Sequence, residues 1–393
     1  MTTLTRIELH VAPTAPLSLS LSNPTTVESI GVELGWDYAH YQLAPPAPYA
    51  QEPSPLRNGL LAGQAAFGAR TLPATRHVRQ WLQLRLQAWL RGRTFELFQV
   101  TPNYLQQIET THCPITRAKL AGINPDITDI TDIADASVDR VRNDAGYAAG
   151  NLAVMSTKAN HAKAANDFHS ARDLARQIDA AQQTGLTGLA GLTAAQWSRV
   201  AVLCSFVETL SHHEACALPL LVLPPNRLRL FNPVQALQAF VSQQLVTPGW
   251  SQRISRFEDL LTGKPLRRDF KTFFLALLPR VLEAGKLNDS QLTRWAIEDA
   301  WRTPLVQDHW THFARQLTAA QCEALLNKAA ARRLTTRTIV PFSDAGATDG
   351  WMLETRGYVP HHGVSHAPHQ ANQQAHQHAN QQAPDGLQRQ LAF

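Results

Sequence analysis

The chain has 393 residues, 44% of them hydrophobic and 17% charged, and a formal net charge of +5 at pH 7. Single hydrophobic cores stop growing at roughly 250 to 300 residues, so this length predicts two or three domains, and the apolar content excludes a wholly disordered chain. Four scattered cysteines exclude a disulfide framework, and no apolar run reaches the roughly 18 residues of a membrane span. We therefore expect a cytoplasmic protein without a secretory signal or a membrane partner.

The first 55 residues are weakly patterned. They contain a possible short strand at 7–11, a capped helical stretch at 26–41 and a proline-rich connection at 43–55. We expect residues 1–55 to form a loosely packed N-terminal arm.

A basic amphipathic helix follows at 74–93, with Trp81, Leu82 and their helical neighbours on an apolar face and arginines and glutamines opposite. The segment 56–120 carries nine lysines and arginines but two glutamates, which favours a polyanionic partner. A solvated face is the alternative. Arg85 falls inside the apolar face, so it has a buried partner, points into a site or, by default, snorkels to solvent.

The stretch 113–163 carries the chemistry. Residues 136–141 alternate like a strand, 142–146 form a turn, and 147–150 can return antiparallel before a helix that starts near Asn151. A hairpin followed by a helix can hold one divalent ion between a strand carboxylate and an amide or imidazole from the helix.

Five short elements follow one another in this stretch. They are Cys113-Pro114-Ile115-Thr116-Arg117, Val138-Asp139-Arg140, Gly146-Tyr147, Gly150-Asn151 and Asn160-His161-Ala162-Lys163. The series resembles the HNH (ββα-metal) endonucleases, in particular their phage-type variants, and it covers about 50 residues. The resemblance implies a small, treble-clef-related ββα-metal module, which we place with the basic helix in a domain at 56–167, and a phage or mobile-element setting.

The resemblance also implies roles. Asp139 and Asn160 match the residues that bind the metal, a magnesium or manganese ion, and Asn151 matches the residue that braces the loop. The candidate catalytic set is Asp139, Arg140, Asn151, Asn160, His161 and Lys163. The candidate nucleic-acid-binding residues are Arg76, Arg79, Arg91, Arg93, Arg117 and Arg142.

One position departs from the family. Arg140 stands where the water-activating histidine belongs, and an arginine stays protonated and cannot act as a general base. Either His161, His112 or a metal-bound hydroxide takes the proton, or the module has lost catalysis and retained nucleic-acid binding. In the catalytic case Arg140 could clamp a phosphate oxygen.

The optional structural zinc of the family needs two pairs of cysteines. Cys113 is present, but Thr116, Ser156 and Ala159 stand at the other three positions, so we expect no structural zinc. Packing must hold the hairpin instead, and the candidates for it are Val138, Tyr147, Leu152 and Met155.

From residue 168 onward the pattern is helical. The predicted helices are 168–183, 193–213, 234–246, 268–285, 289–302 and 306–331. We predict a separate all-helical domain at 168–342, in which Cys204 is a core residue. Residues 343–393 end in a His/Gln/Asn-rich tract that lacks apolar residues, and we predict a disordered tail there.

The expected fold is therefore mainly α with one small ββα module. The expected function is nucleic-acid binding, to DNA first and RNA second, by a divalent-metal-dependent endonuclease. One alternative is a catalytically inactive HNH-like regulatory protein. Another is a helical interaction protein whose hairpin is purely structural.

Overall fold

A computed structural model describes residues 24–51, 53–121, 136–181, 185–334, 348 and 351. The expected strand at 7–11 lies outside the described residues, as does the predicted disordered tail at 343–393 apart from Thr348 and Trp351. The fold is mainly helical with one small two-stranded sheet, which confirms the predicted mainly α class.

The described residues contain fifteen helices and two strands. Before the sheet lie α1 (Pro24–His40), α2 (Ala47–Gln51), α3 (Pro55–Phe67), α4 (Arg76–Leu90) and α5 (Pro102–Ile108). The sheet unit consists of β1 (Ala136–Arg140), β2 (Leu152–Ser156) and α6 (Thr157–Lys163). After it come α7 (Phe168–Ala180), α8 (Ala194–Ser205), α9 (His212–Cys216), α10 (Pro233–Val246), α11 (Trp250–Glu258), α12 (Lys264–Ala284), α13 (Ser290–Ala300), α14 (Pro304–Ala314) and α15 (Ala319–Ala331).

Helices α1 and α3 pack closely, where the sequence suggested a loosely packed arm. Glycines four residues apart on each helix make the approach possible: a Cβ at Gly35 would collide with the Leu56 carbonyl oxygen, and one at Gly59 would collide with the Val32 carbonyl oxygen. Leu34 and Tyr38 of α1 are buried in the same contact. Hydrophobic periodicity did not predict this close helix pair, because the contact depends on glycines, which do not contribute to a hydrophobic pattern.

The basic helix α4 lies between two cores. Leu82 and Leu86 pack with α1 and α3, while Leu84 and Ala88 pack with the larger core that contains the hairpin. The expected single apolar face is therefore incomplete, and Gln80, placed on the solvent side by the helical pattern, is buried. Arg85 does not snorkel: it is buried, forms an ion pair with Asp37 and lies over the Trp81 ring.

The hairpin and helix occur in the predicted order, with shifted boundaries. Strands β1 and β2 pair antiparallel, with Asp139 opposite Ala153. The returning strand lies at 152–156 rather than 147–150, because Tyr147 instead forms an isolated bridge with Phe95. Helix α6 starts at Thr157, where the Ser156 side chain caps it by accepting a hydrogen bond from the Ala159 backbone.

The helical part follows the predicted elements with three differences. The predicted helix 193–213 ends at Ser205, and α9 follows after a turn. Helix α11 was not predicted. The predicted helix 306–331 is broken into α14 and α15, because Thr318 starts a new helix with a reciprocal capping box to Gln321.

One core runs through the hairpin and the helical part. The same cluster of buried side chains joins Val138, Leu152 and Met155 to Cys204 and to the aromatic residues of α12 and α14. All four residues proposed to hold the hairpin by packing are buried there, and Cys204 is a core residue as predicted. The helical part is thus packed against the hairpin and shares its core. No helix in the described ranges is long and apolar enough to cross a membrane.

Candidate functional site

Asn151 closes the loop between the two strands, residues 141–151. Its side-chain oxygen accepts a hydrogen bond from the Arg142 backbone at 2.8 Å, and its Nδ2 donates to the carbonyls of Arg142 and Gly146 at 3.0 and 3.1 Å. The side chain is fully buried. These contacts hold the loop closed, because one amide satisfies three backbone groups.

Asp139 is buried and paired with Lys163. The Lys163 Nζ lies 3.1 Å from the Asp139 carboxylate and donates a hydrogen bond of 3.1 Å to the Arg140 carbonyl. The lysine side chain is 0% exposed. Burial raises the pKa of Asp139, and the charges of Lys163 and Arg140 oppose that rise.

Asn160 faces the same strand but has another partner. Its Nδ2 donates a hydrogen bond of 2.7 Å to the hydroxyl of Ser137, two residues before Asp139. The two expected metal ligands therefore lie on one interface between α6 and β1, and each binds a different group.

The magnesium or manganese ion that the resemblance implies would share the Asp139 carboxylate with Lys163. The Lys163 ammonium already places a positive charge 3.1 Å from that carboxylate. Mg²⁺ is commonly held by one or two carboxylates together with waters and substrate phosphates, so the pairing of Asp139 with Lys163, and not the number of protein ligands, is the observation that bears on a metal here.

Neither histidine considered as a base contacts Asp139 in the described structure. His161 is exposed in the last turn of α6. His112 packs edge-on against Trp295 at 5.3 Å, and its Nδ1 lies 3.0 Å from the Thr111 hydroxyl. The role of general base is therefore not supported for either residue by its surroundings.

Arg140 is a loop-holding residue. Its guanidinium donates hydrogen bonds to the carbonyls of Asn143 and Ala145, at 3.1 and 2.8 Å, and lies 5.3 Å from the centre of the Tyr147 ring. These bonds use two of the five N–H donors of the guanidinium, so donors remain for a phosphate oxygen. Its charge still contributes to the surface around the loop, because the residue is half-buried.

The four positions that correspond to the zinc ligands of the family, Cys113, Thr116, Ser156 and Ala159, lie together in the structure. The Cys113 sulfur accepts hydrogen bonds from the Thr116 backbone at 3.4 Å and from the Ser156 hydroxyl at 3.3 Å. The Ser156 hydroxyl in turn accepts from the Ala159 backbone at 3.3 Å. Hydrogen bonds thus join the turn at 113–116 to the start of α6, between residues 43 positions apart.

Two of the predicted nucleic-acid-binding arginines are engaged inside the protein. Arg117 holds Asp299 of α13 through two hydrogen bonds of 2.6 and 2.8 Å. Arg142 holds Asp144 in the same way, at 2.8 and 3.0 Å. Arg117 is held by two bonds and largely buried, which makes it poorly available for phosphate. The pair of Arg142 with Asp144 is partly exposed and costs little to exchange, so phosphate binding by Arg142 stays a prediction.

The other four predicted arginines are closer to solvent. Arg76 is exposed and pairs with Glu109 at 2.5 Å, an exposed contact that costs little to exchange. Arg91 is exposed, and Arg79 and Arg93 are half-buried. Burial, with the nearby charges of Arg140 and Arg91, lowers the pKa of Arg93 to about 10.

Arginines from three segments lie in or near the loop at 141–151. Arg140 immediately precedes it, and Arg93 is close enough to Arg140 and Arg91 for their charges to lower its pKa. The Arg229 backbone donates a 3.0 Å hydrogen bond to the Gly150 carbonyl, and Arg227, two residues before Arg229, is exposed. We call the five residues Arg91, Arg93, Arg140, Arg227 and Arg229 the loop arginines.

Sequence reasoning missed Arg227 and Arg229. They lie about 80 residues after the loop, in a stretch without any basic run, and only the folded chain brings them to Gly150. Gly150 has a φ of +88° and lies against the Arg229 side chain, where a Cβ would collide. The glycine of the Gly150-Asn151 pair is therefore the one feature of the sequence that could have indicated this contact, because glycine is preferred where another chain segment comes close to the backbone.

Comparisons with known proteins give no match. No family model fits the chain, and no curated protein or solved structure is significantly similar to it.

Proposed function

We propose that this protein binds nucleic acid, with DNA as the first expected partner and RNA as the second, on an HNH-like ββα scaffold that does not depend on a catalytic metal. The observation that carries the proposal is the gathering of the loop arginines, from three segments, around a loop that Asn151 braces. Positive charge concentrated on one surface attracts the phosphate backbone of a nucleic acid.

The contacts of Asp139 favour binding over cleavage. A carboxylate neutralised by a buried lysine is a poor metal ligand, and an arginine replaces the base. The endonuclease stays a prediction that these contacts argue against, and the inactive HNH-like protein becomes the preferred alternative. The meeting of Cys113, Thr116, Ser156 and Ala159 supports an HNH-like scaffold, because those are the positions that the resemblance pairs.

The binding experiment measures fluorescence anisotropy of labelled duplex DNA, single-stranded DNA and RNA at several salt concentrations. Arg91→Ala/Arg227→Ala removes two exposed charges and should lower the slope of log affinity against log salt on duplex DNA by about 1.8, at roughly 0.9 per phosphate contact. The matched control is Arg176→Ala/Arg280→Ala, which removes two exposed charges on α7 and α12. Equal slopes for the two double variants would contradict the loop arginines as the binding surface.

A cleavage experiment separates binding from catalysis. Plasmid and single-stranded DNA are incubated with the protein and magnesium or manganese, with and without chelator. We expect binding without strand breaks. Metal-dependent cleavage that disappears in Asp139→Ala, while Asp144→Ala keeps it, would overturn the non-catalytic function and restore the endonuclease.

A further inference from the structure

Phe98 is the most exposed large apolar side chain of the described residues. Its relative exposure is 93%, far above that of any other such residue. Isolated exposed leucines are ordinary on protein surfaces, but an aromatic ring almost wholly in water exposes a large apolar area without any packing in return. An exposed fraction this large indicates that the ring is covered by a binding partner.

The turn that carries Phe98 is held at both ends. On one side the Glu96 backbone donates a hydrogen bond of 2.9 Å to the Tyr147 carbonyl, and the Glu96 carboxylate accepts one of 2.8 Å from the Gln99 backbone. On the other side the Trp81 indole donates a 2.7 Å bond to the carbonyl of the fully buried Val100. The ring is thus presented from a fixed base, which lowers the entropy cost of placing it in a complex.

The base of this turn adjoins the loop arginines. Phe95, three residues before Phe98, stacks on Tyr147 with 5.9 Å between the ring centres. The Arg140 guanidinium lies over the same Tyr147 ring, 5.3 Å from its centre. Arg93 precedes the turn and is close enough to Arg140 and Arg91 for their charges to contribute to lowering its pKa. An exposed aromatic ring on a turn whose base is joined to Arg140 through Phe95 and Tyr147 matches a ligand that offers both a flat π-face and negative charge.

We propose that Phe98 stacks on a base of the nucleic acid whose phosphates are bound by the loop arginines. The inference rests on the proposed function and adds an element that charge alone does not supply, a contact with the bases. The preferred ligand has an accessible base, as in a single strand or at an unpaired position, because stacking in a closed duplex first requires unstacking of the base pairs.

The experiment compares wild type, Phe98→Ala and Phe98→Trp by anisotropy on single-stranded DNA, on duplex DNA and on duplex DNA with one unpaired base. Phe98→Ala should lose about tenfold in affinity for the single strand with an unchanged salt slope, since the ring carries no charge. Phe98→Trp should keep the affinity, and its indole emission should be quenched on binding. The matched control is Leu282→Ala, an exposed apolar residue on α12, which should bind like wild type.

The outcomes separate the two proposals. Binding that is equal in wild type and Phe98→Ala overturns the stacking contact and leaves the proposed function standing. No binding by wild type to any nucleic acid overturns both. Self-association that is lost in Phe98→Ala, with nucleic-acid affinity unchanged, would assign the ring to a second copy of the chain and overturn the inference.

Discussion

At the scale of single residues, Asp139 and Lys163 form a buried pair between β1 and α6. The carboxylate that the resemblance assigns to the metal is thus paired with a lysine that has no exposed surface. Bringing both charges into the core is costly, and the cost is repaid only while both partners are present. Removal of either partner alone should therefore lower the free energy of unfolding measurably.

We predict that Asp139→Asn lowers the free energy of unfolding by about 3 to 5 kcal/mol, because it leaves the Lys163 ammonium buried without its partner. Asp139→Asn/Lys163→Met should recover most of that loss, since removal of both charges also removes the desolvation cost. Urea unfolding at pH 7 measures both variants.

The control for this cycle is Asp144→Asn, which breaks the half-exposed pair with Arg142 and should cost no more than about 1 kcal/mol. A loss in Asp139→Asn as small as that of the control would show that Lys163 does not depend on the carboxylate. The cation position would then be open to another occupant.

Several residues of the candidate site could be predicted from the sequence and others could not. The ordered motif placed Asn151 at its bracing position and brought Cys113 together with Ser156. It could not show that Lys163 turns inward to Asp139, because a lysine in this pattern is equally compatible with a solvent-facing position. Nor could it show that Arg117 is engaged, since its partner Asp299 lies 182 residues away.

At the scale of the secondary-structure elements, the close crossing of α1 and α3 depends on glycines. At Gly35 a methyl group would meet the Leu56 carbonyl and the Leu60 backbone, and backbone atoms cannot move aside as a flexible side chain can. The helices would have to separate, and Leu34 and Tyr38 would lose their packing. A signal for this contact exists in the spacing of Gly31, Gly35, Gly59 and Gly63, but hydrophobic periodicity does not detect it.

We predict that Gly35→Ala lowers the free energy of unfolding by about 3 kcal/mol through overpacking. The matched control is Gly285→Ala at the end of α12, where the φ is −64° and the nearest neighbours lie at ordinary contact distance. That variant should be neutral or slightly stabilising, because alanine restricts the unfolded chain. Thermal unfolding of the two variants gives the comparison, and equal melting temperatures would contradict the close crossing.

At the scale of the whole molecule, ion pairs connect the turn at 113–117 to the helical part. Arg117, Arg199 and Arg302 converge on Asp299 of α13, at 2.6, 3.6 and 3.8 Å. Burial alone would raise the pKa of Asp299, but the hydrogen bond from Arg117 and the charges of the three arginines outweigh it and hold the pKa below its usual range.

A depressed pKa in the folded state gives a defined pH dependence. Asp299 contributes its full stability above the pKa of an unfolded aspartate, near ~3.9, and loses it as the pH falls through the depressed value. Asp299→Asn should therefore lower the free energy of unfolding by about 1 kcal/mol at pH 7, and the difference from wild type should shrink below about pH 4. Urea unfolding across pH 3 to 7 tests this.

The control for the pH series is Asp173→Asn, which removes an exposed pair with Arg176 and should leave the unfolding midpoint nearly unchanged at pH 7. A constant difference between Asp299→Asn and wild type at every pH would mean that the carboxylate charge is not what holds the three arginines.

Trp351 has a consequence for anyone who shortens this chain. Its indole donates a 3.0 Å hydrogen bond to the Ala149 carbonyl, its own carbonyl accepts a 3.1 Å bond from the Gly146 backbone, and Arg229 lies 5.6 Å from its ring. A truncation just after Leu334 spares all the helices and both strands of the described residues, yet it removes the residue that lies against the loop at 141–151. A shortened protein for expression should therefore end beyond position 351. A protein that ends at Leu334 lacks the Trp351 contacts to the loop, and a failure of it to bind would say nothing about the full chain.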